Sequence, residues 1–317
     1  MRKRLIFAFV LALCAALLCV GAWAAGETPS TAGDTCAISN AEALKNFRDE
    51  VNSGSNFEGK TVVLANDIDL GGSEDNPWTP IGYSDGSDVS LEFAGTFDGQ
   101  GHTISGLYIN SEATYAGLFG VVGEDGTVTN LTVKGDVTNK GKFTGGVIGY
   151  NLGAVENCAF TGTVNGGGGT GDSAGYEHGN YTGGVAGINY GTITNCRNSG
   201  AVTGNDSGTN THSYTGGVAG ENSGIVADCC NTGAVTGIGD GTRYTYAGGV
   251  AGGNCNDSPE PVATITNCYN TGNVTGTGSS SRTSPSRYSV SSTLPAGSSR
   301  KGVSWWGIKG PMPTISG

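Results

Sequence analysis

The chain has 317 residues, 58 of them glycine, and its 16 Lys and Arg residues against 27 Asp and Glu give a formal net charge of −11. Charged residues make up 14% of the sequence, which is too few for an ordinary α/β enzyme. Collagen is excluded, because it needs glycine at every third position and abundant proline, and only nine prolines occur. The acidic balance disfavours nucleic acid and anionic membranes as partners, because both require clustered basic residues.

The first residues predict an export signal. Met1–Arg4 is basic, Leu5–Val20 is apolar, and Ala22–Ala24 is a small-residue cleavage site. Residues 1–24 are therefore predicted to be a signal peptide on a secreted or cell-surface protein. An uncleaved membrane anchor is the alternative, because the apolar stretch is close to the roughly 20 residues that a spanning helix needs.

A short helix is predicted at the start of the folded part. Ser39 and Glu42 match a capping box. Apolar residues at helical spacing follow, up to Gly54; they are Leu44, Phe47 and Val51. Such a helix would cover the first coil of a repeat structure, whose free strand edges would otherwise promote aggregation.

Five repeated units dominate the rest of the sequence. Each begins with an aromatic and a small residue, followed by the pattern G-[GL]-[VF]. The units begin at Tyr115, Phe143, Tyr181, Tyr214 and Tyr246. Their uneven spacing with a constant internal pattern indicates loop insertions in a stacked unit. The predicted units are 115–142, 143–180, 181–213, 214–245 and 246–276, and strand-rich leading coils precede them within 39–114.

Equivalent positions of the units form predicted columns. One core column contains Phe119, Val147, Val185, Val218 and Val250. A second contains Leu131, Cys158, Cys196, Cys229 and Cys268, each followed by a Gly four residues later and a Val six residues later. A third contains Asn151, Asn189, Asn222 and Asn254, whose amides can hydrogen-bond along the stack.

Each unit also contains three short runs of β-prone residues, separated by Asn and Gly that tolerate left-handed backbone. A single coil cannot bury its Val and Ile residues. Stacked coils can, because each strand pairs with its counterparts about 4.8 Å above and below. The predicted fold is therefore all-β, a parallel β-helix (solenoid) with a short N-terminal capping helix.

The residues that carry a family resemblance are Asp67–Leu70, Trp78–Gly82, Phe97–Ile104 and Gly117–Gly120, followed by the G-G-V-x-G units. This series resembles the GLUG-motif repeat proteins of bacterial surfaces, over about residues 40–276. The resemblance implies a right-handed β-helix on secreted or wall-associated proteins, and it carries over no catalytic residues. Residues 277–317 depart from the pattern and are predicted to be a Ser/Pro-rich basic tail, either disordered or truncated.

Seven cysteines remain beyond the signal, so at least one is unpaired. Stacked cysteines have parallel Cα–Cβ bonds near 4.8 Å apart, whereas a disulfide needs Cβ atoms about 3.8 Å apart. The column cysteines are therefore predicted to be buried free thiols; disulfides or a metal site are the alternative. Cys230 faces away from the column and could pair with Cys255.

The sequence predicts no catalytic residue, metal site or cofactor. Its histidines, His102, His178 and His212, belong to no H-E-x-x-H motif, and G-x-S-x-G is absent. Two acidic pairs lack the spacing of an EF-hand loop and are expected to be solvated; they are Asp67 with Asp69, and Asp85 with Asp88.

The aromatic residues that open the units form one candidate ligand-stacking surface. Tyr115, Phe143, Tyr181, Tyr214 and Tyr246 would form a column of rings that could stack against a sugar chain. Ring-on-ring packing at a coil corner is the alternative. The inserted loops 166–176 and 205–213 are further candidate contact surfaces.

Two functions are compatible with these features. The first is a structural or adhesion module at the cell surface, whose partners would be host or cell-wall glycans or surface proteins. The second is a polysaccharide lyase or hydrolase, or a carbohydrate-binding module, and its enzymatic form rests on analogy with other β-helices.

Overall fold

The computed structural model describes residues 35–82, 91–167, 179–206, 212–239, 244–255, 263–277, 281–284 and 288–290. Within them the chain forms a parallel β-helix with one α-helix after its first strand. The leading part contains β1 (Thr35–Ile38), α1 (Ala41–Asn52), β2 (Thr61–Leu64), β3 (Ile68–Asp69), β4 (Thr96–Asp98) and β5 (Thr103–Ser111). The predicted signal peptide lies outside the described residues.

Helix α1 covers the first coils, as the apolar stripe predicts. Phe47 is fully buried, and its ring lies 5.0 Å from that of Phe57, 5.6 Å from that of Phe93 and 5.8 Å from that of Phe97. The predicted capping residue is wrong by one position. Asn40, not Ser39, is the N-cap, and its Oδ1 accepts a 2.9 Å hydrogen bond from the Ala43 N–H.

The repeated units supply most of the strands. The first unit contains β6 (Tyr115–Ala116), β7 (Phe119–Val122), β8 (Thr127–Thr129) and β9 (Thr132–Asn139). The second contains β10 (Phe143–Gly145), β11 (Ile148–Asn151), β12 (Ala154–Glu156) and β13 (Ala159–Gly167). The third contains β14 (Gly179–Gly183), β15 (Ala186–Asn189), β16 (Thr192–Thr194), β17 (Arg197–Asn198) and β18 (Ala201–Asp206).

The later units repeat this order. The fourth contains β19 (His212–Gly216), β20 (Ala219–Asn222), β21 (Ile225–Ala227), β22 (Cys230–Asn231) and β23 (Val235–Gly239). The fifth contains β24 (Thr245–Gly248), β25 (Ala251–Asn254), β26 (Thr264–Asn270) and β27 (Val274–Thr277). Two more strands follow, β28 (Ser281–Ser284) and β29 (Tyr288–Val290).

Every unit contributes to four stacked sheets, rather than the three strands per coil that the sequence predicts. Sheet I contains β6, β10, β14, β19, β24 and β28, and sheet II contains β7, β11, β15, β20 and β25. Sheet III is built on β1, β2, β4, β8, β12, β16, β21 and β26. Sheet IV is built on β3, β5, β9, β13, β17, β18, β22, β23 and β27, together with the C-terminal part of β26. The additional strand per unit is the aromatic dipeptide itself, which pairs separately in sheet I.

The predicted valine column is present, with one correction. Val147, Val185 and Val218 are fully buried, and the N–H of each donates to the carbonyl of the valine one coil further on. Phe119 lies outside this column, because it pairs in register with Ile148 rather than with Val147. The first unit has Gly117–Leu118 where later units have two glycines and a valine, so its register shifts by one residue after Ala116.

The glycines of the repeat are required by close backbone packing. The second glycine of a unit lies against the sheet IV residue that follows the cysteine by two positions. A Cβ on Gly249 would lie 2.5 Å from Cβ of Asn270, and one on Gly217 or Gly184 would overlap the equivalent Asn231 or Asn198. Real Cβ atoms are not found this close, so a side chain at these positions would push the coil apart.

Strand pairing continues past residue 276, where the sequence places the end of the repeats. β28 adds a further parallel strand to sheet I beside β24, and β29 pairs antiparallel with β26. Part of the predicted basic tail thus contributes to the last coil. The remainder of that tail lies outside the described residues.

Candidate functional site

The five aromatic residues that open the units form a ladder of stacked rings along sheet I. They pair in register, and neighbouring ring centroids lie 5.0 to 5.3 Å apart with interplanar angles of 6° to 11°. Tyr115, Phe143 and Tyr181 are buried, whereas Tyr214 and Tyr246 are partly exposed. The repeat therefore positions the rings as the sequence predicts.

A second column on sheet II packs against this ladder. Tyr150 meets Tyr115 and Phe143 edge-to-face, at 5.5 and 5.4 Å, while Val121 and Ile188 complete a small apolar cluster outside the main core. Because neighbouring ladder rings stack on each other, the faces of the inner rings are occupied. This geometry agrees with ring-on-ring packing, and sugar stacking on the ladder stays a prediction.

The cysteine column is buried in the core. The Sγ atom of each upper cysteine accepts from the N–H of the one below, at 3.4 Å for Cys196 with Cys158 and 3.3 Å for Cys229 with Cys196. The thiols donate to nearby carbonyl oxygens, as Cys196 does to Thr194 at 3.2 Å. Hydrogen bonds with Cys158 and Cys229, together with burial, raise the pKa of Cys196 well above its usual value. The raised pKa keeps the Cys196 thiol protonated, and a protonated thiol is a poor nucleophile.

The suggested disulfide between Cys230 and Cys255 is not formed in the structure. Cys230 lies on β22, in register with Arg197 below and Tyr269 above. Its thiol hydrogen-bonds the Arg197 guanidinium and raises the pKa of that group. Cys255 follows β25, and its N–H donates to the Asn222 carbonyl.

The predicted asparagine column forms a continuous amide ladder. Nδ2 of Asn151, Asn189 and Asn222 donates to Oδ1 of the next asparagine, each time at 2.7 Å. The ladder begins at Asn151 because its partner in the first unit is Val122. Oδ1 of Asn151 consequently has no hydrogen-bond partner.

Two more amide ladders were missed by the sequence analysis. Asn198, Asn231 and Asn270 form a buried ladder with Nδ2 to Oδ1 distances of 2.8 and 2.7 Å. An exposed ladder runs from Asn195 through Asn157 to Asn130, each in a left-handed corner, and ends on the Asp98 carboxylate. The recurring Asn-[ST]-Gly sequence was a signal for the buried ladder, although Phe160 and Val133 replace asparagine in the earlier units.

Among the histidines and acidic pairs that the structure describes, only Asp67 and His102 come together. Oδ1 of Asp67 lies 3.1 Å from His102 Nδ1 and accepts from the Thr103 N–H at 2.9 Å. The Thr103 hydrogen bond, followed by that of His102, holds the pKa of Asp67 below its usual value. Asp69 instead accepts from the Gly71 N–H.

His212 stacks on Tyr244, with ring centroids 5.9 Å apart. His178, Asp85 and Asp88, and most of the two predicted contact loops, lie outside the described residues. In the described part of the chain, no three His, Cys, Asp or Glu side chains are grouped to hold a metal ion. Within the same residues, no helix is both long and apolar enough to cross a membrane.

Comparison with known proteins supports the repeat assignment. The sequence model of the GLUG motif matches residues 144–165, 178–203 and 244–275. A protein of Evansella cellulosilytica, named as a Gly-rich membrane protein, is 38% identical over 127 residues, which is 38% of this chain and 14% of that protein. Halomucin of Haloquadratum walsbyi is 31% identical over 119 residues, which is 37% of this chain and 1% of that protein. The chain thus matches only a small part of either relative.

A solved structure shares the fold. It is described as an immunoglobulin A1 protease from Bacteroides ovatus, and it matches 81% of this chain and 72% of its own chain with a TM-score of 0.59. At 23% sequence identity, this match concerns the fold alone. The GLUG motif thus occurs in this chain, which folds as a parallel β-helix.

Proposed function

We propose that the chain is an exported structural and adhesion module of a cell surface, without catalytic activity. The observation that carries the proposal is the continuity of the stack. Sheet III alone pairs eight successive parallel strands, which at about 4.8 Å per coil corresponds to a rod of about 34 Å. A rod whose interior is filled by valine, thiol and amide columns can space or present contact surfaces.

The surface location is supported by two kinds of sequence information. One relative is named as a membrane protein and the other as halomucin, and the chain begins with the pattern of an export signal. The proposed partners are glycans of the host or cell wall, or surface proteins. An acidic chain with a net charge of −11 is suited to a solvated surface.

The competing function is cleavage of a polysaccharide. Such an enzyme needs an acid and a base that converge on one coil face. Asp67 and His102 are the described pair that comes closest to this arrangement. Both side chains instead connect two leading coils, because the Asp67 carboxylate also accepts a hydrogen bond from the Thr103 N–H of the next coil.

One experiment separates the two functions. The purified chain without residues 1–24 is assayed on a panel of plant, microbial and host glycans for new reducing ends and, in parallel, for binding to the immobilised glycans. Heat-unfolded chain is the control. We expect saturable binding with no release of reducing ends. Turnover that scales with the amount of folded protein contradicts the proposal.

A further inference from the structure

The C-terminal end of the aromatic ladder differs from the rest. His212 and Tyr244 lie two residues before Tyr214 and Tyr246, at a position that is Gly179 in the third unit. The His212 and Tyr244 rings are parallel within 6°, and each is tilted against its own ladder ring, by 55° at 6.4 Å and by 42° at 6.0 Å. We call these four rings the aromatic cluster. Tyr244 is 43% exposed, so the cluster reaches the surface.

A buried acid lies beside this cluster. In the sheet II column that packs against the ladder, the successive residues are Val121, Tyr150, Ile188, Glu221 and Gly253. Glu221 thus replaces an apolar residue, and it is only 4% exposed. Burying a carboxylate among rings costs several kcal/mol unless favourable partners compensate. Its presence in an otherwise apolar column marks this level of the stack as chemically distinct.

The next residue of the same column, Gly253, lies against the carboxylate. Gly253 is itself partly exposed. A Cβ added to it would lie 2.9 Å from Cδ1 of Tyr214 and 3.3 Å from Oε2 of Glu221. The absence of a side chain at residue 253 therefore leaves the Tyr214 ring and the Glu221 carboxylate directly under the backbone of the last full coil.

We propose that the aromatic cluster and Glu221 form a binding site for an organic ammonium cation. Ring faces carry partial negative charge and attract cations, and tyrosine is among the side chains that bind ammonium groups in this way. A neighbouring carboxylate in a partly desolvated position strengthens the attraction. The net charge of −11 raises the local concentration of such cations. This site goes beyond the proposed structural role and does not depend on it.

The first test compares two ligands of the same shape. Choline carries a quaternary ammonium group, and 3,3-dimethylbutanol is its neutral counterpart. Binding to the chain without residues 1–24 is followed by NMR shifts of the tyrosine ring signals at about pH 8, where an ordinary imidazole is uncharged. We expect choline to bind at least about tenfold more tightly than the alcohol. Equal affinity for both ligands overturns the proposal.

The second test uses variants of the site. Glu221→Gln keeps the shape and removes the charge, and we expect it to weaken choline binding about tenfold. Gly253→Ala should weaken binding by crowding the ring and the carboxylate, and Tyr244→Ala should do so by removing an exposed ring. Glu156→Gln removes an exposed acid from β12 and is the matched control, with unchanged affinity expected.

Folding of each variant is checked by circular dichroism. If Glu221→Gln fails to fold, Tyr244→Ala decides, because that residue is largely exposed and its loss leaves the ladder rings in place. Wild-type choline affinity in the folded Glu221→Gln variant, or in Tyr244→Ala when the first does not fold, overturns the proposal. An equal loss in Glu156→Gln also overturns it, because the attraction would then be general to the acidic surface.

Discussion

The amide of Asn189 donates to Oδ1 of Asn222 at 2.7 Å, and the same nitrogen lies 3.2 Å from the carbonyl oxygens of Gly191 and Ile225. One buried side chain thus joins two coils and satisfies backbone groups at the corner of each. Since the same contacts recur at Asn222, the ladder transmits register along the stack. The thiol column and the second amide ladder do the same at other corners.

Replacing Asn189 with leucine tests the energetic weight of this ladder. Asn189→Leu keeps the side-chain volume but removes the amide that donates to Oδ1 of Asn222 and to two corner carbonyls. Oδ1 of Asn222 keeps the Gly224 N–H and the Gly191 carbonyl keeps the Ile225 N–H as donors. A net hydrogen bond contributes about 1 kcal/mol, so we expect a loss of about 2 to 4 kcal/mol in the free energy of unfolding, measured in urea.

The exposed ladder supplies the control for this measurement. Asn195 has φ of 51° and donates to Asn157 at the surface. Asn195→Gly retains a residue that tolerates this backbone, and we expect a change below about 0.5 kcal/mol. A loss as large as that of the Asn189 variant would mean that burial of the amides is not the source of the stability.

The helix cap gives a second, local prediction. Because Oδ1 of Asn40 accepts the Ala43 N–H, Asn40→Ala should destabilise the chain by about 1 kcal/mol. Ser39→Ala should have little effect, since Ser39 is not the N-cap. Thermal unfolding of both variants checks this. A larger loss at Ser39 than at Asn40 would support the capping box that the sequence suggests.

Much of the stack is predictable because its columns repeat with constant offsets within a unit. The valines six residues after Leu131 and after each column cysteine, from Val137 to Val274, are paired in the structure as their spacing predicts. Phe119 was misplaced because the first unit lacks one glycine, and only the hydrogen-bond register shows where the missing residue is absorbed. A change in unit length is visible in the sequence, but its position within the unit is not.

The candidate cation site could not be predicted for a different reason. Glu221 is a single departure in a column whose other members differ in type, so no repeated pattern marks it. Its carboxylate and the Tyr214 ring both lie beside Gly253, and the three residues belong to three different strands. Sequence periodicity indicates which residues are neighbours along the stack, and it does not indicate which outward side chains meet across a corner.

The contact between Asp67 and His102 makes the leading coils sensitive to acid. The folded-state pKa of Asp67 is lowered, so its stabilising effect is present above the unfolded pKa of about 4 and is lost as the pH falls through the folded value. In the Asp67→Asn variant, the free energy of unfolding should therefore fall less than in the wild type as the pH is lowered below about 4. NMR titration of the Asp67 carboxyl checks the direction, and a pKa at or above 4 contradicts it.

The buried thiol of Cys196 is expected to make the folded chain less stable at alkaline pH. The folded-state pKa of Cys196 is raised, so above the ordinary thiol value of about 8.5 the unfolded chain loses a proton that the folded chain keeps. Stability should fall by up to about 1.4 kcal/mol per pH unit for each such thiol, until the folded pKa is reached. Urea unfolding at about pH 7 and pH 10 measures the difference.

Lysine and tyrosine side chains also titrate near pH 10. The Cys196→Ala variant separates their contribution from that of the Cys196 thiol. The variant loses packing at both pH values, but it has one thiol fewer to ionise, so its stability should fall less between pH 7 and pH 10 than that of the wild type. Cys255→Ala is the control, because Cys255 is partly exposed at the end of β25 and outside the column. If both variants show the same pH dependence as the wild type, the fold does not hold the Cys196 thiol in the protonated form.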